Sequence, residues 1–207
     1  MRYLRALNES DPQALDKNLL SQMYDAQFPT HSIIKADLEY VSHSWNLTGF
    51  DLWEETRDLH FYTAIVQRRA LLEGRDLAIA LHDPAAASWY ESHQLKLKDF
   101  VETSFWNKQR GHLVASLNSR RHNRNGMDCA LLLGALHGGQ DDLFPPWSDK
   151  ILASLEALAA DMKERYPVNR HSPPYHPEED RLRGVGIGRY PEDLYERAFP
   201  VSFLFSF

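Results

Sequence analysis

Apolar residues recur along this chain mostly at steps of three and four, the spacing that gathers them on one face of an α-helix, while β-type alternation is scarce. Leu19, Leu20 and Met23 predict a helix over 16–23, and Ile34, Leu38, Val41 and Trp45 predict a second that breaks at Asn46 to Gly49. Phe61 to Glu73 is dense in good helix formers, with Gly74 placed to end it in the left-handed conformation. Leu97, Phe100, Val101, Ser104 and Phe105 mark another helix. Leu113 to Leu117 reads as a brief extended piece, and Cys129 to His137 as a short buried helix ended by Gly138-Gly139. The clearest pattern is Ile151, Leu155, Leu158 and Met162. It starts at Ser148, whose hydroxyl can accept from the free amides of a first turn, and stops before Pro167. Residues 169–180, rich in Pro, His and charge, read as a long surface loop. The chain is therefore expected to be all-α. A helical bundle fits this periodicity, and so does an α/α toroid with its active site in the loops at one end.

Composition narrows the picture. With 207 residues, 43% hydrophobic and 12% aromatic, the chain is expected to form one globular domain. A formal charge of −6 and a pI near 5.9 argue against a nucleic-acid partner, whose phosphates call for clustered Lys and Arg. The local exception, Arg120, Arg121, His122 and Arg124, lies among turn formers and reads as a solvated loop. Cys129 is the only cysteine, so neither an intrachain disulfide nor a cysteine-based zinc site is available, and a small buried thiol is its expected state. The histidines lack paired metal spacing, and no metal or cofactor is expected. No run of about 18 apolar residues suggests a membrane span. The amino terminus lacks the apolar stretch of a secretory signal, so the chain as written is expected in the cytosol. Gly184, Gly186 and Gly188 do not complete a dinucleotide fingerprint, because Arg189 stands where the third glycine would fall; backbone flexibility ahead of Arg189 accounts for them. Trp45, Trp89, Trp106 and Trp147 read as core residues.

The candidate chemistry lies in Asp51-Leu52-Trp53-Glu54-Glu55, two adjacent carboxylates beside an indole after the turn Leu47-Thr48-Gly49-Phe50. Neighbouring side chains in a turn or helix diverge by roughly 100°, so the two glutamates can hold separate roles. A carboxyl pressed on an aromatic wall near a second negative charge has its pKa raised, as a general acid requires. From spacing alone, the pair reads first as the acidic first turn of the next helix, where it favours the macrodipole.

Lys35 to Val41, then Trp45 to Glu55, then Phe61 to Gly74 resemble consecutive blocks of the glucoamylases of glycoside hydrolase family 15. Gly126 to His137 resembles a later block, although Ala130 stands where asparagine is more usual, and Val185 to Asp193 resembles a further one. The resemblance spans 35–195. It implies an incomplete (α/α)6 toroid, about half of the barrel, forming one partial catalytic domain. It implies an α-glucan or maltooligosaccharide substrate attacked with inversion, no cofactor, and an extracellular location for the intact family member. Carried over by position, Glu54 matches the general acid; Leu52, Trp53 and Glu55 match its sugar-binding neighbours; Arg189 and Asp193 match residues that orient the sugar. The family's base follows the Arg-Tyr-Pro-Glu-Asp block, and no counterpart is found here, nor for the first helices of the barrel and their Arg-Asp pair. The tail from Phe199 to Phe207 is apolar and atypical, and Val201-Ser202 is what an intron donor would encode in frame. A truncated gene or read-through of an unspliced intron is therefore expected, as is a chain that is inactive alone. The rival expectation is an inactive helical module that binds sugar or protein. Asn46-Leu47-Thr48 is a glycosylation sequon, relevant if the protein is secreted.

Overall fold

The computed structural model describes residues 2–11, 17–27, 29, 31–140, 142–169 and 184–193. The long loop predicted beyond Asn169 and the apolar tail lie outside these residues. Seven α-helices occur among the described residues: α1 (Arg2–Ser10), α2 (Lys17–Met23), α3 (Ile33–Ser44), α4 (Phe61–Ala80), α5 (Pro84–Ser104), α6 (Ala130–Gly138) and α7 (Asp149–Arg165). Two small antiparallel ribbons complete them: β1 (Gly49–Phe50) with β2 (Arg57–Asp58), and β3 (Trp106–Asn107) with β4 (His112–Leu113). The chain is mainly α, as the periodicity predicts, and the helices form no closed barrel, in keeping with an incomplete toroid. No described helix is long and apolar enough to cross a membrane.

The long hairpin α4–α5 is the centre, with α1, α3 and α6 laid against α4 and α7 against α6 and β4. Its short link turns because Asp83 accepts from the Ala86 N–H at 3.2 Å and Pro84 occupies the first helical position. The sequence pattern placed α5 only from Leu97 onward; Asp83-Pro84 is the start signal it passed over. Phe61, Ile65, Leu71, Tyr90, Leu97, Val101 and Phe105 are wholly buried here, with Phe61 edge-on to both Phe105 and Phe144 at 5.7 Å between centroids.

Gly74 does not end its helix, which continues to Ala80. A Cβ on it would lie 2.6 Å from Leu38 Cδ2, so the missing side chain lets α3 cross close to α4. Ser148 does precede α7, but its hydroxyl makes no capping bond and is buried without a partner. Leu113 to Leu117 is extended only in part: β4 covers its first residue, and Ser116 bridges His60. Trp147 (67% exposed) and Trp89 (40%) are surface residues rather than core, and Trp45 and Trp106 are half-buried, because the helix pair is filled by phenylalanine and leucine instead.

A buried ion pair fastens α3 to the hairpin. Lys35, 1% exposed, donates to Asp83 Oδ2 at 2.6 Å and to the Ala26 carbonyl at 3.1 Å, and the Tyr24 hydroxyl donates to the same carboxylate at 2.9 Å. Burial pushes the Asp83 pKa up, but Lys35, the Ala86 amide and Tyr24 outweigh it and hold the carboxyl below its usual range. A carboxyl whose pKa is lower folded than the ~3.9 of the unfolded chain stabilises the fold above that pH, and loses this contribution as pH falls through the folded value. Lys35→Met is expected to cost about 3 kcal/mol at pH 7, by leaving Asp83 an unpaired buried charge. The deficit should shrink as the pH drops below about 4 and Asp83 becomes protonated. Denaturant unfolding of both proteins at several pH values measures this, and a pH-independent deficit contradicts the pairing.

Candidate active site

The loop joining β1 to β2, residues 51–56, carries both glutamates, and α4 begins only at Phe61 with no acidic residue in its first turn. The pair is thus no helix start. Asp51 ties the loop together. Its backbone N–H donates to the Thr56 carbonyl at 3.0 Å, and its carboxylate accepts from the Glu55 amide at 2.8 Å and the Thr56 hydroxyl at 2.9 Å. Arg124 Nη1 adds a bond to Asp51 Oδ2 at 3.0 Å. Burial raises the Asp51 pKa, yet the Glu55 amide, Thr56 and Arg124 together bring it below the ordinary value.

The tight loop forces Glu54 to φ +60°, a left-handed conformation that L side chains resist, with its N–H bonded to the Asp51 carbonyl at 3.0 Å. Its carboxylate is exposed, and no described residue hydrogen-bonds to it. Next to it, Trp53 directs its indole N–H onto Asp128, at 3.1 and 3.2 Å.

Glu55 is the opposite case. Its Oε1 accepts from Arg189 Nη1 at 2.6 Å, and its Oε2 accepts from the Tyr190 hydroxyl at 2.5 Å and from Arg124 Nη2. Asp193 fixes the Arg189 fork in a bidentate pair, Nε to Oδ2 at 2.9 Å and Nη2 to Oδ1 at 2.8 Å. The Asp193 bond, then Glu55, raises the Arg189 pKa further, so its charge is permanent. Burial and then the bond to Glu55 push Tyr190 up to about 12, which keeps it a donor. Arg124 also stacks on the Tyr190 ring, 3.8 Å from the centroid, and Arg189 lies 5.6 Å from the centre of Trp53.

Of the residues singled out from the sequence, Trp53, Glu55, Arg189 and Asp193 come together in this cluster. Glu54 projects beside it, and Leu52, 37% exposed, lines an adjoining crevice with Trp53, His60, Tyr62, Arg124 and Asp128. Asp51, Arg124, Asp128 and Tyr190 were missed as site residues. Arg124 is no solvated arginine: its side chain is 13% exposed and bridges two carboxylates. Only those carboxylates, distant in sequence, reveal it; Asp128 and Tyr190 lie within the 126–137 and 185–193 segments with nothing local to mark them. Cys129 is half-buried rather than buried, and burial pushes its thiol up to about 11. The glycine-spaced segment is anchored, not loose. Asn169 donates to the Gly186 carbonyl at 3.0 Å and accepts from its amide at 2.8 Å, at an approach where a Cβ would meet the Asn169 oxygen at 3.2 Å. No group of three His, Cys, Asp or Glu among the described residues is arranged to hold a metal.

Residues 10–202 match the family "Glycosyl hydrolases family 15". Glucoamylase 1 of Rhizopus oryzae is 37% identical over 181 residues, covering 85% of this chain and 29% of that protein. A glucoamylase of Saccharomycopsis fibuligera is 34% identical over 205 residues, covering 92% of this chain and 38% of that protein. The solved structure of a Saccharomycopsis fibuligera glucoamylase superposes with a TM-score of 0.76 at 33% identity, over 94% of this chain and 40% of that one. The family 15 glucoamylase of Hypocrea jecorina gives 0.70 at 31% identity, over 92% and 30% respectively. The chain thus spans well under half the length of these relatives.

Strain at Glu54 makes a stability prediction. Glu54→Gly is expected to stabilise the fold by about 1 kcal/mol by relieving the left-handed conformation, whereas Glu54→Gln, with the same backbone cost, leaves stability unchanged. Thermal unfolding of the three proteins measures the difference. A glycine variant no more stable than the parent contradicts a strained Glu54.

Proposed function

The chain belongs to glycosyl hydrolases family 15, and on that footing we propose that its site serves the release of glucose from the non-reducing ends of starch-like α-glucans, with inversion at the anomeric carbon. Glu54 is the general acid that protonates the glycosidic oxygen. The observation that carries this is the sorting of the two neighbouring carboxylates. Glu55 has both oxygens taken up by Arg189, Arg124 and Tyr190, whereas Glu54 stands open to an incoming sugar. The remaining Glu55 and Arg189 hydrogen-bonding capacity addresses sugar hydroxyls, Asp193 holds the guanidinium plane, and Trp53 with Leu52 offers an apolar surface for the pyranose.

Inversion needs a second carboxylate about 6.5–9.5 Å from the first, to activate water on the opposite face of the ring. By resemblance that base follows the Arg189–Asp193 block, and no residue of 1–207 is assigned to the role. A second reading, a sugar-binding module without catalysis, draws support from the exposure of Glu54.

The purified chain is expected to bind maltose and to release no glucose from soluble starch above background. Azide distinguishes the two readings by replacing the activated water. Its attack on the anomeric carbon of maltose, as Glu54 gives its proton to the departing oxygen, yields β-glucosyl azide and glucose. Glu54→Gln should lower that yield about 100-fold or more. Maltose binding with no azide product favours the non-catalytic module, and no maltose binding overturns both readings. Starch turnover that Glu54→Gln abolishes would place a base within these residues.

A further inference from the structure

Behind Trp53 lies a carboxylate with no part in the chemistry so far. Asp128 is 4% exposed, and both its oxygens face the indole N–H of Trp53, at 3.2 Å from Oδ1 and 3.1 Å from Oδ2. Oδ1 also accepts from the Ala130 amide at 2.8 Å, so the carboxylate caps the start of α6 while it holds the indole. The next residue reaches the other half of the site: the Cys129 N–H donates to the Arg189 carbonyl at 2.8 Å.

The chain is brought to this position by Gly126. At φ +92° it turns where a Cβ would meet Val114 Cγ1 at 2.9 Å, and its carbonyl accepts from the Ala115 amide at 2.8 Å. Burial raises the Asp128 pKa to about 6, with the Ala130 amide, Trp53 and Arg124 acting against it and Asp51 with it. At 4% exposed, with both oxygens turned to the Trp53 indole and the Ala130 amide, this carboxylate does not present itself to a water beside a bound sugar.

We propose that Asp128 is a positioning residue: it orients the Trp53 indole as the platform for the sugar ring, and through the Cys129 amide its turn sets the distance from that platform to the Arg189 fork. The proposal rests on the reading of the cluster as a sugar site. Trp53 is rigid in consequence. An indole in a hairpin loop has two free torsions, and one hydrogen bond at its edge removes the rotation that would carry its face away from Arg189.

Maltose binding to the full chain, followed by intrinsic fluorescence or calorimetry, tests the role. Asp128→Ala is expected to weaken binding about tenfold, the effect of losing one hydrogen bond to a charged group. Asp128→Asn, whose amide oxygen still accepts from both donors, should stay within about threefold. In the Trp53→Phe background, which has no indole N–H, Asp128→Ala should change binding by less than about twofold. A full tenfold loss in that background would overturn the proposal, since Asp128 would then act by another route. A readout independent of sugar is the Trp53 indole 1H–15N resonance, identified as the one that Trp53→Phe removes. Asp128→Asn should shift it more than any of the other four indole resonances, and an unmoved resonance overturns the orientation claim even if the alanine variant fails to fold. Absence of maltose binding in the parent chain, with the shift present, discards the sugar reading and leaves the Asp128–Trp53 clasp standing.

Discussion

Everything at the site hangs on one shared carboxylate. Glu55 accepts from two guanidinium groups and a phenol, and these donors come from segments remote in sequence: Arg124 from the turn before α6, and Arg189 and Tyr190 from the segment pinned to the end of α7 by Asn169. Half-exposed ion pairs of this kind each contribute at most about 1 kcal/mol, so the network is not a large source of stability. Its effect is geometric. With Glu55 committed, the hairpin loop cannot turn its two glutamates over, and Glu54 is left pointing outward on a strained residue. Asp51 locks the same loop from below, and Arg124 serves both carboxylates at once.

The helices bring these segments together at one end of the α4–α5 hairpin. Phe61 begins α4 and is buried against Phe105 and Phe144, so β2 and its loop enter the core immediately ahead of a fixed point. Gly134 on α6 approaches the same Phe61, which seats the α6 start, and with it Asp128 and Cys129, beside the loop. Packing of aromatic and glycine positions therefore determines where the polar cluster forms, and the cluster then aligns side chains within it.

Much of this was legible in the chain. The apolar spacing of Ile34, Leu38 and Val41 and of Ile151, Leu158 and Met162 sufficed to find α3 and α7, although their buried faces also hold Lys35, Ser42 and Ser154, and Leu155 is exposed. Ordered blocks led to Trp53, Glu55, Arg189 and Asp193. Gly74 misled because a glycine in a helix reads as an end when its partner, Leu38, cannot be seen. Arg124 misled because its surroundings are turn formers, while its function depends on carboxylates at positions 51 and 55. Asp128 carries the same lesson: hydrogen bonds across 75 residues leave no local pattern.

Glu54 as the acid of a glucosidic site, set apart from its neighbour by the Glu55 clamp, is the central claim, and a crystal structure of the chain soaked with maltose tests it most directly. The account predicts the terminal glucosyl ring against Trp53 with hydroxyls bonded to Glu55 and Arg189, and the Glu54 carboxyl within about 2.6–3.2 Å of the glycosidic oxygen. Maltose bound elsewhere, or bound there with Glu55 instead of Glu54 at the glycosidic oxygen, would contradict it.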